Sequence, residues 1–132
     1  DGDYIIRVSL EQAKRTLAIA GSWSFHDLAE EILSAFDFDY DHLYAFRLKD
    51  SYGRIVELVH PEMEQTDGGR PSDEARIGDL RLDRGTPFEF IYDFGDWWVF
   101  RLLIIRVEEP RRSRAELLET RGEAPAQYAG GD

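Results

Sequence analysis

The chain has 132 residues, 42% hydrophobic and 13% aromatic, enough for one globular domain with a real core. Sixteen basic against 27 acidic residues leave a net charge of −11, a surface that repels nucleic-acid phosphates. Cysteine is absent, which removes disulfides, thiolate metal sites and cysteine nucleophiles together and fits a reducing compartment.

The first residues carry no basic region followed by an apolar core, so no signal peptide is visible. Tyr4, Ile6, Val8 and Leu10 alternate as one face of a strand, and a second strand is expected over Thr16–Ala20, closed by Gly21-Ser22. Ser24 followed by Asp27 has the register of a capping box. Phe25, Leu28, Ala29, Ile32, Leu33, Ala35 and Phe36 then recur at helical spacing, predicting an amphipathic helix over about 25–36. Phe38–Asp41 reads as a turn, His42–Leu48 as a strand, and Ser51–Arg54 as a hairpin turn into a strand over Ile55–Val59.

Residues 60–74, with Pro61, Gly68, Gly69 and Pro71, read as a flexible loop, and Ala75–Leu82 as a short helical turn. Phe88–Tyr92 and Trp97–Val107 form the strongest strand pair, joined around Gly95. The second of these is apolar on both faces up to Ile105, as in a strand covered twice, although Arg101 interrupts it and keeps it far from a membrane span. Residues 110–132 read as an irregular C-terminal segment, with Ser113 and Glu116 placed to cap a short helix. The expectation is a single α+β domain over 1–132, an α–β roll whose mixed, mostly antiparallel sheet carries one main helix.

The chemistry concentrates in Phe88–Trp98, where five aromatics beyond Phe88 and two aspartates surround Gly95. Asp93-Phe94-Gly95 spells the kinase magnesium motif, but the glycine-rich loop, strand lysine and catalytic loop of a kinase are missing. Asp37, Asp39 and Asp41 alternate like the start of a calcium loop, yet His42 and Leu48 stand where that loop needs glycine and glutamate. Asp41-His42 at a strand start could serve acid–base chemistry or simply bond to backbone. His26 and His60 look solitary and structural.

Across a two-residue Phe94-Gly95 loop, Asp93 and Asp96 would face each other, and turn N–H groups, an arginine or a cation must offset their repulsion. Trp97 and Trp98 point to opposite faces. Arg111, Arg112 and Arg114 form the only basic cluster, a weak candidate for nucleic acid.

These residues also carry a resemblance. Tyr92-Asp93-Phe94-Gly95-Asp96 with Trp98, Asp41-His42-Leu43-Tyr44 with Phe46, and the late Gly122, Ala124-Pro125 and Gly130-Gly131 resemble the Ri-plasmid open-reading-frame-three-like family, related to insertion-element passenger proteins called TnpR. Two departures stand out. Phe100 occupies a place where that family often has histidine, and Lys14-Arg15-Thr16-Leu17 stands near where many members carry an Ile-Trp-Arg-Arg-like stretch. The resemblance implies a roll-like α+β domain from plasmid or mobile-element contexts, without implying an activity. It also implies that the chain is truncated after its double glycine.

The expected function is therefore a cytoplasmic, non-enzymatic protein-binding module with no cofactor and no membrane or nucleic-acid partner. Its candidate patch is Tyr92, Asp93, Asp96, Trp98, Asp41 and His42. The alternative is a metal-dependent, hydrolytic enzyme using Asp93, Asp96, Asp41 and His42. A transposition-associated nucleic-acid role through Arg111, Arg112 and Arg114 stands third.

Overall fold

The computed structural model describes residues 2–50, 52–63, 69–80 and 82–128. Eight strands form one sheet: β1 (Asp3–Leu10), β2 (Ala13–Ala20), β3 (Tyr44–Lys49), β4 (Ile55–Val59), β5 (Gly69–Pro71), β6 (Pro87–Tyr92), β7 (Trp98–Glu108) and β8 (Glu116–Arg121). Their spatial order is β5-β4-β3-β6-β7-β1-β2-β8. Every pairing is antiparallel except β4 with β5, so the sheet is mixed and mostly antiparallel as expected.

The single α-helix among the described residues, α1 (Phe25–Ala35), forms where its stripe predicts. The Ser24 hydroxyl accepts the Asp27 N–H and the Asp27 carboxylate accepts the Ser24 N–H, a reciprocal cap that contributes about 1 kcal/mol. Its other end closes just as definitely. Asp37 takes the left-handed conformation at φ 60°, while the Phe38 and Asp37 N–H groups bond back to Leu33 and Ser34 carbonyls.

Phe25, Leu28, Ala29, Ile32 and Leu33 of α1 are buried in one cluster with Ile6 and Val8 of β1, Phe46 of β3, Phe90 of β6 and Phe100 of β7. The architecture is α+β and dominated by its sheet. This layering of one helix on an open sheet does not single out a roll.

Four local expectations need correction. β7 is central, but only one of its faces carries a full layer: Phe100, Leu102 and Ile104 are buried, whereas Leu103 and Ile105 are half-covered and Arg101 is exposed. Across that outer face Arg101 lies opposite Glu89, and Glu89 opposite Arg47, which pairs with Glu57 at 3.0 Å. β2 starts at Ala13, not Thr16, because Glu11 and Gln12 suffice to turn the chain, with Glu11 at φ 55°.

The supposed flexible loop contributes a short parallel edge strand, β5, and a 3-10 turn over Ser72–Glu74 whose first residue is fully buried; positions 64–68 lie outside the described residues. The proposed helix near Ser113 is replaced by edge strand β8, every position of which is exposed. Edge pairing with β2 won over a weak capping signal. A further 3-10 turn over Ile77–Leu80 fits the helical turn expected there.

Candidate functional site

The phenol of Tyr92 organises one end of the sheet. It ends β6, and its side chain is fully buried, so the hydroxyl needs partners from protein. It accepts the N–H groups of Asp41 (2.7 Å) and His42 (3.1 Å) and donates to the Asp39 carbonyl (2.5 Å). One hydroxyl thus holds the 39–42 turn against the sheet. Burial raises the Tyr92 pKa, which keeps the hydroxyl a donor.

The next residue builds the hairpin. Asp93 takes φ 65°, and its N–H bonds to the Leu43 carbonyl at 2.9 Å. Its Oδ1 accepts the N–H groups of Gly95 (3.0 Å) and Asp96 (3.3 Å). The turn amides therefore offset the expected aspartate repulsion, and Asp96 contributes its N–H while its side chain lies exposed. Strand pairing stops at Tyr92 opposite Trp98, so the connection spans 93–97 and is not a two-residue loop. The left-handed positions fall on Asp93 and on Trp97, at φ 60°, not on Gly95.

His42 sits between the two elements. Its Nε2 lies 3.3 Å from Asp93 Oδ2, 3.5 Å from Asp41 Oδ1 and 3.2 Å from the Tyr128 hydroxyl. Tyr128 also donates to Asp41 Oδ2, and Gln127 bonds both the Asp39 backbone and Asp41 Oδ1 (3.3 Å). The Tyr128 bond, with Tyr92 and His42, holds the Asp41 carboxyl below its ordinary range. The centre is thus a pair of carboxylates about one imidazole, with Asp93 buried, Asp41 exposed and His42 partly exposed.

Of the six patch residues, Tyr92, Asp93, Asp41 and His42 converge and Asp96 borders them. Trp98 does not join. Its ring packs inward on Phe38 at 5.1 Å, and its indole N–H is buried without an acceptor among the described residues. Among those residues no group of three or more histidine, aspartate or glutamate side chains is placed to hold a metal ion.

Sequence reasoning missed several neighbours. Exposed Tyr40, Leu43, Phe94, Trp97 and Tyr128 lie around the centre, with the Phe94 and Trp97 rings tilted to one another 5.8 Å apart. A cleft of about 360 Å³ opens beside His42, lined by Tyr40, Asp41, His42, Leu43, His60 and Glu62. His26 and His60 are not solitary: their rings meet at 6.0 Å against Tyr40 and Tyr44. The Tyr44 hydroxyl bridges His26 Nδ1 (2.6 Å) and the buried Ser72 hydroxyl (2.7 Å). A lone amide and phenol in a glycine-rich stretch were the only signal for Gln127 and Tyr128.

Residues 3–132 match the family of plasmid pRiA4b ORF-3-like proteins. The chain belongs to that family. The uncharacterized protein y4hQ of Sinorhizobium fredii is 32% identical over 108 residues, which cover 79% of this chain and 52% of that protein. The chain therefore spans about half the length of that relative. A crystal structure of a protein of unknown function, MM3350 from Methanosarcina mazei Go1, superposes with a TM-score of 0.81 at 19% identity, over 98% of this chain and 74% of that one. At that identity the likeness concerns the fold alone.

In this family member the arginine cluster is largely spent on the chain itself. Arg112 Nη1 pairs with buried Asp3 (3.2 Å) and with Glu108 (3.1 Å), and its Nε with Glu116 (2.5 Å). Asp3 Oδ2 also accepts the Arg111 and Arg112 backbone N–H groups. Arg111 and Arg114 stay exposed. No helix among the described residues is long and apolar enough to cross a membrane.

Proposed function

We propose that this domain is a non-enzymatic protein-binding module whose contact surface is the 92–98 hairpin together with the Asp41–His42 strand start. One observation carries the reading: Trp97 is 48% exposed while its backbone is held at φ 60°, in the left-handed region that bulky residues avoid. Such strain costs about 1–3 kcal/mol; here the turn bond from the Trp97 N–H to the Asp93 carbonyl holds it, and strained positions of this kind cluster at functional sites. Exposed aromatics are the residues that most often anchor protein interfaces, and Trp97 has exposed Phe94 for a neighbour. The buried carboxylate of Asp93 and the exposed one of Asp41, on a chain of net charge −11, favour a cationic partner. The absence of cysteine supports a cytoplasmic setting.

The test is selection of phage-displayed random peptides on the immobilised domain, followed by affinity measurements on variants. Trp97→Gly relieves the backbone strain, so its stability is expected within about 1 kcal/mol of the parent. Selected peptides should nevertheless bind it at least about tenfold more weakly, and Phe94→Ser likewise. Failure to enrich any peptide, or enriched peptides that bind both variants undiminished, would overturn the reading.

A further inference from the structure

We infer that the cleft between the β3 entry and the His60–Glu62 turn receives one cationic side chain, a guanidinium or ammonium, from the partner. This rests on the protein-binding reading and deepens it, because it assigns the electrostatic anchor to residues outside the hairpin.

Three features of the cleft agree. Its walls are rings: Tyr40 and His60 lie edge to face, 5.9 Å between centroids, and His42 lines it as well. Its rim carries two carboxylates, Asp41 and Glu62. Its volume, about 360 Å³, suits one long side chain and not a folded element. Ring faces and carboxylates together are what a guanidinium or ammonium needs, since the faces supply the negative quadrupole and the carboxylates the charge-assisted bonds.

The protonation states fit as well. The Asp41 carboxyl is held below its ordinary range and so stays ionised near neutral pH. Burial lowers the His60 pKa, so that wall stays an uncharged ring instead of a competing cation. Burial raises the Tyr40 phenol to about 12, which keeps it neutral too. The His60 Nδ1 accepts the Glu62 N–H at 3.0 Å, fixing the ring and the carboxylate-bearing residue relative to one another.

The cleft also differs from the centre beside it. Asp93 Oδ1 is committed to turn amides, and Asp41 already meets Tyr128, Tyr92 and Gln127. Glu62 is exposed at the rim of the cleft, where its carboxylate can meet an incoming cation.

The deciding experiment titrates the intact domain with the peptides Gly-Gly-Arg-Gly-Gly, its lysine counterpart and its citrulline counterpart, following backbone amide shifts by NMR. Citrulline keeps the shape of arginine and removes its charge. The arginine and lysine peptides should shift the amides of residues 40–43, His60 and Glu62, with the citrulline peptide at least about fivefold weaker. Glu62→Gln and Tyr40→Leu should each weaken arginine-peptide binding about threefold to tenfold. Glu62 is exposed, so its replacement leaves folding intact and keeps the test decisive. Equal binding of the citrulline and arginine peptides, or shifts confined to residues 93–97, would overturn the cleft assignment. If Trp97→Gly and Phe94→Ser still lose the phage-selected peptides in that case, the protein-binding reading stands without it. If instead the cleft binds arginine while those two variants lose nothing, the hairpin reading fails and the cleft remains.

Discussion

Tyr44 and Tyr92 lie directly opposite each other on β3 and β6, and both are fully buried, yet their hydroxyls serve different ends. Tyr44 reaches side chains: His26 on α1 and Ser72 on the segment after β5. Tyr92 reaches backbone, pinning the 39–42 turn through two N–H groups and a carbonyl. Burial raises both pKa values, so both hydroxyls keep their protons. The difference teaches what positions a surface. A phenol bonded to side chains ties elements together and leaves each partner free to turn. A phenol bonded to backbone fixes a loop's path, and everything that loop carries inherits the geometry.

That contrast predicts unequal costs. Tyr92→Phe strands the Asp41 and His42 N–H groups and should lower stability by about 2–3 kcal/mol, the penalty for leaving two part-buried backbone donors unpaired. It should also loosen Asp41 and His42, so arginine-peptide binding falls with it. Tyr44→Phe should cost less, about 1–2 kcal/mol, because it strands one group, the buried Ser72 hydroxyl, while partly exposed His26 can turn to water. Urea unfolding of both variants decides the matter. Equal costs, or a larger one for Tyr44→Phe, would break the comparison, and an unchanged arginine affinity in Tyr92→Phe would show that the turn holds itself.

Much of the fold was legible because local signals agreed with the tertiary outcome. The stripe and capping box of α1, the alternation of β1 and the hairpin from β3 to β4 all follow from the pattern of residues. β8 was not legible: Glu-Leu-Leu-Glu-Thr-Arg has no strand alternation, and pairing with β2 alone defines it. Nor was the start of β2, since Lys14-Arg15 reads as solvated. Arg15 is in fact buried, its guanidinium over the Phe36 ring at 5.0 Å and bonded to the Ala35, Arg121 and Gly122 carbonyls.

The site followed the same rule. Asp93 with Gly95, and Asp41 with His42, are neighbours in sequence and could be singled out there. Tyr128, Gln127 and His60 reach the centre and its cleft only through long-range folding. Trp97 and Trp98 do not alternate along a strand as expected: β7 starts at Trp98 and Trp97 belongs to the turn, so adjacent indoles did not reveal which one packs on Phe38. The left-handed Trp97 is what turned one of them outward.

The smallest predicted effect lies on the Tyr44 side and concerns pH. Burial lowers the His60 pKa from its ordinary 6.5; His26 adds to the lowering, while Glu62 and Asp73 oppose it. In the unfolded chain His60 takes up its proton near the ordinary value, before the folded chain does. Stability is therefore greatest above that value and falls as pH drops from it through the folded pKa, where the unfolded state binds more protons. Asp41 does not share this window. Its depressed pKa contributes stability present above the ordinary carboxylate value of 3.8, lost only as pH falls below it. Urea midpoints measured from about pH 7 to 5 should decline in the parent and decline less in His60→Asn. An identical slope in parent and His60→Asn would mean that the ring beside Tyr44 is as easily protonated as one in water, and the neutral wall assigned to the cleft would go with it.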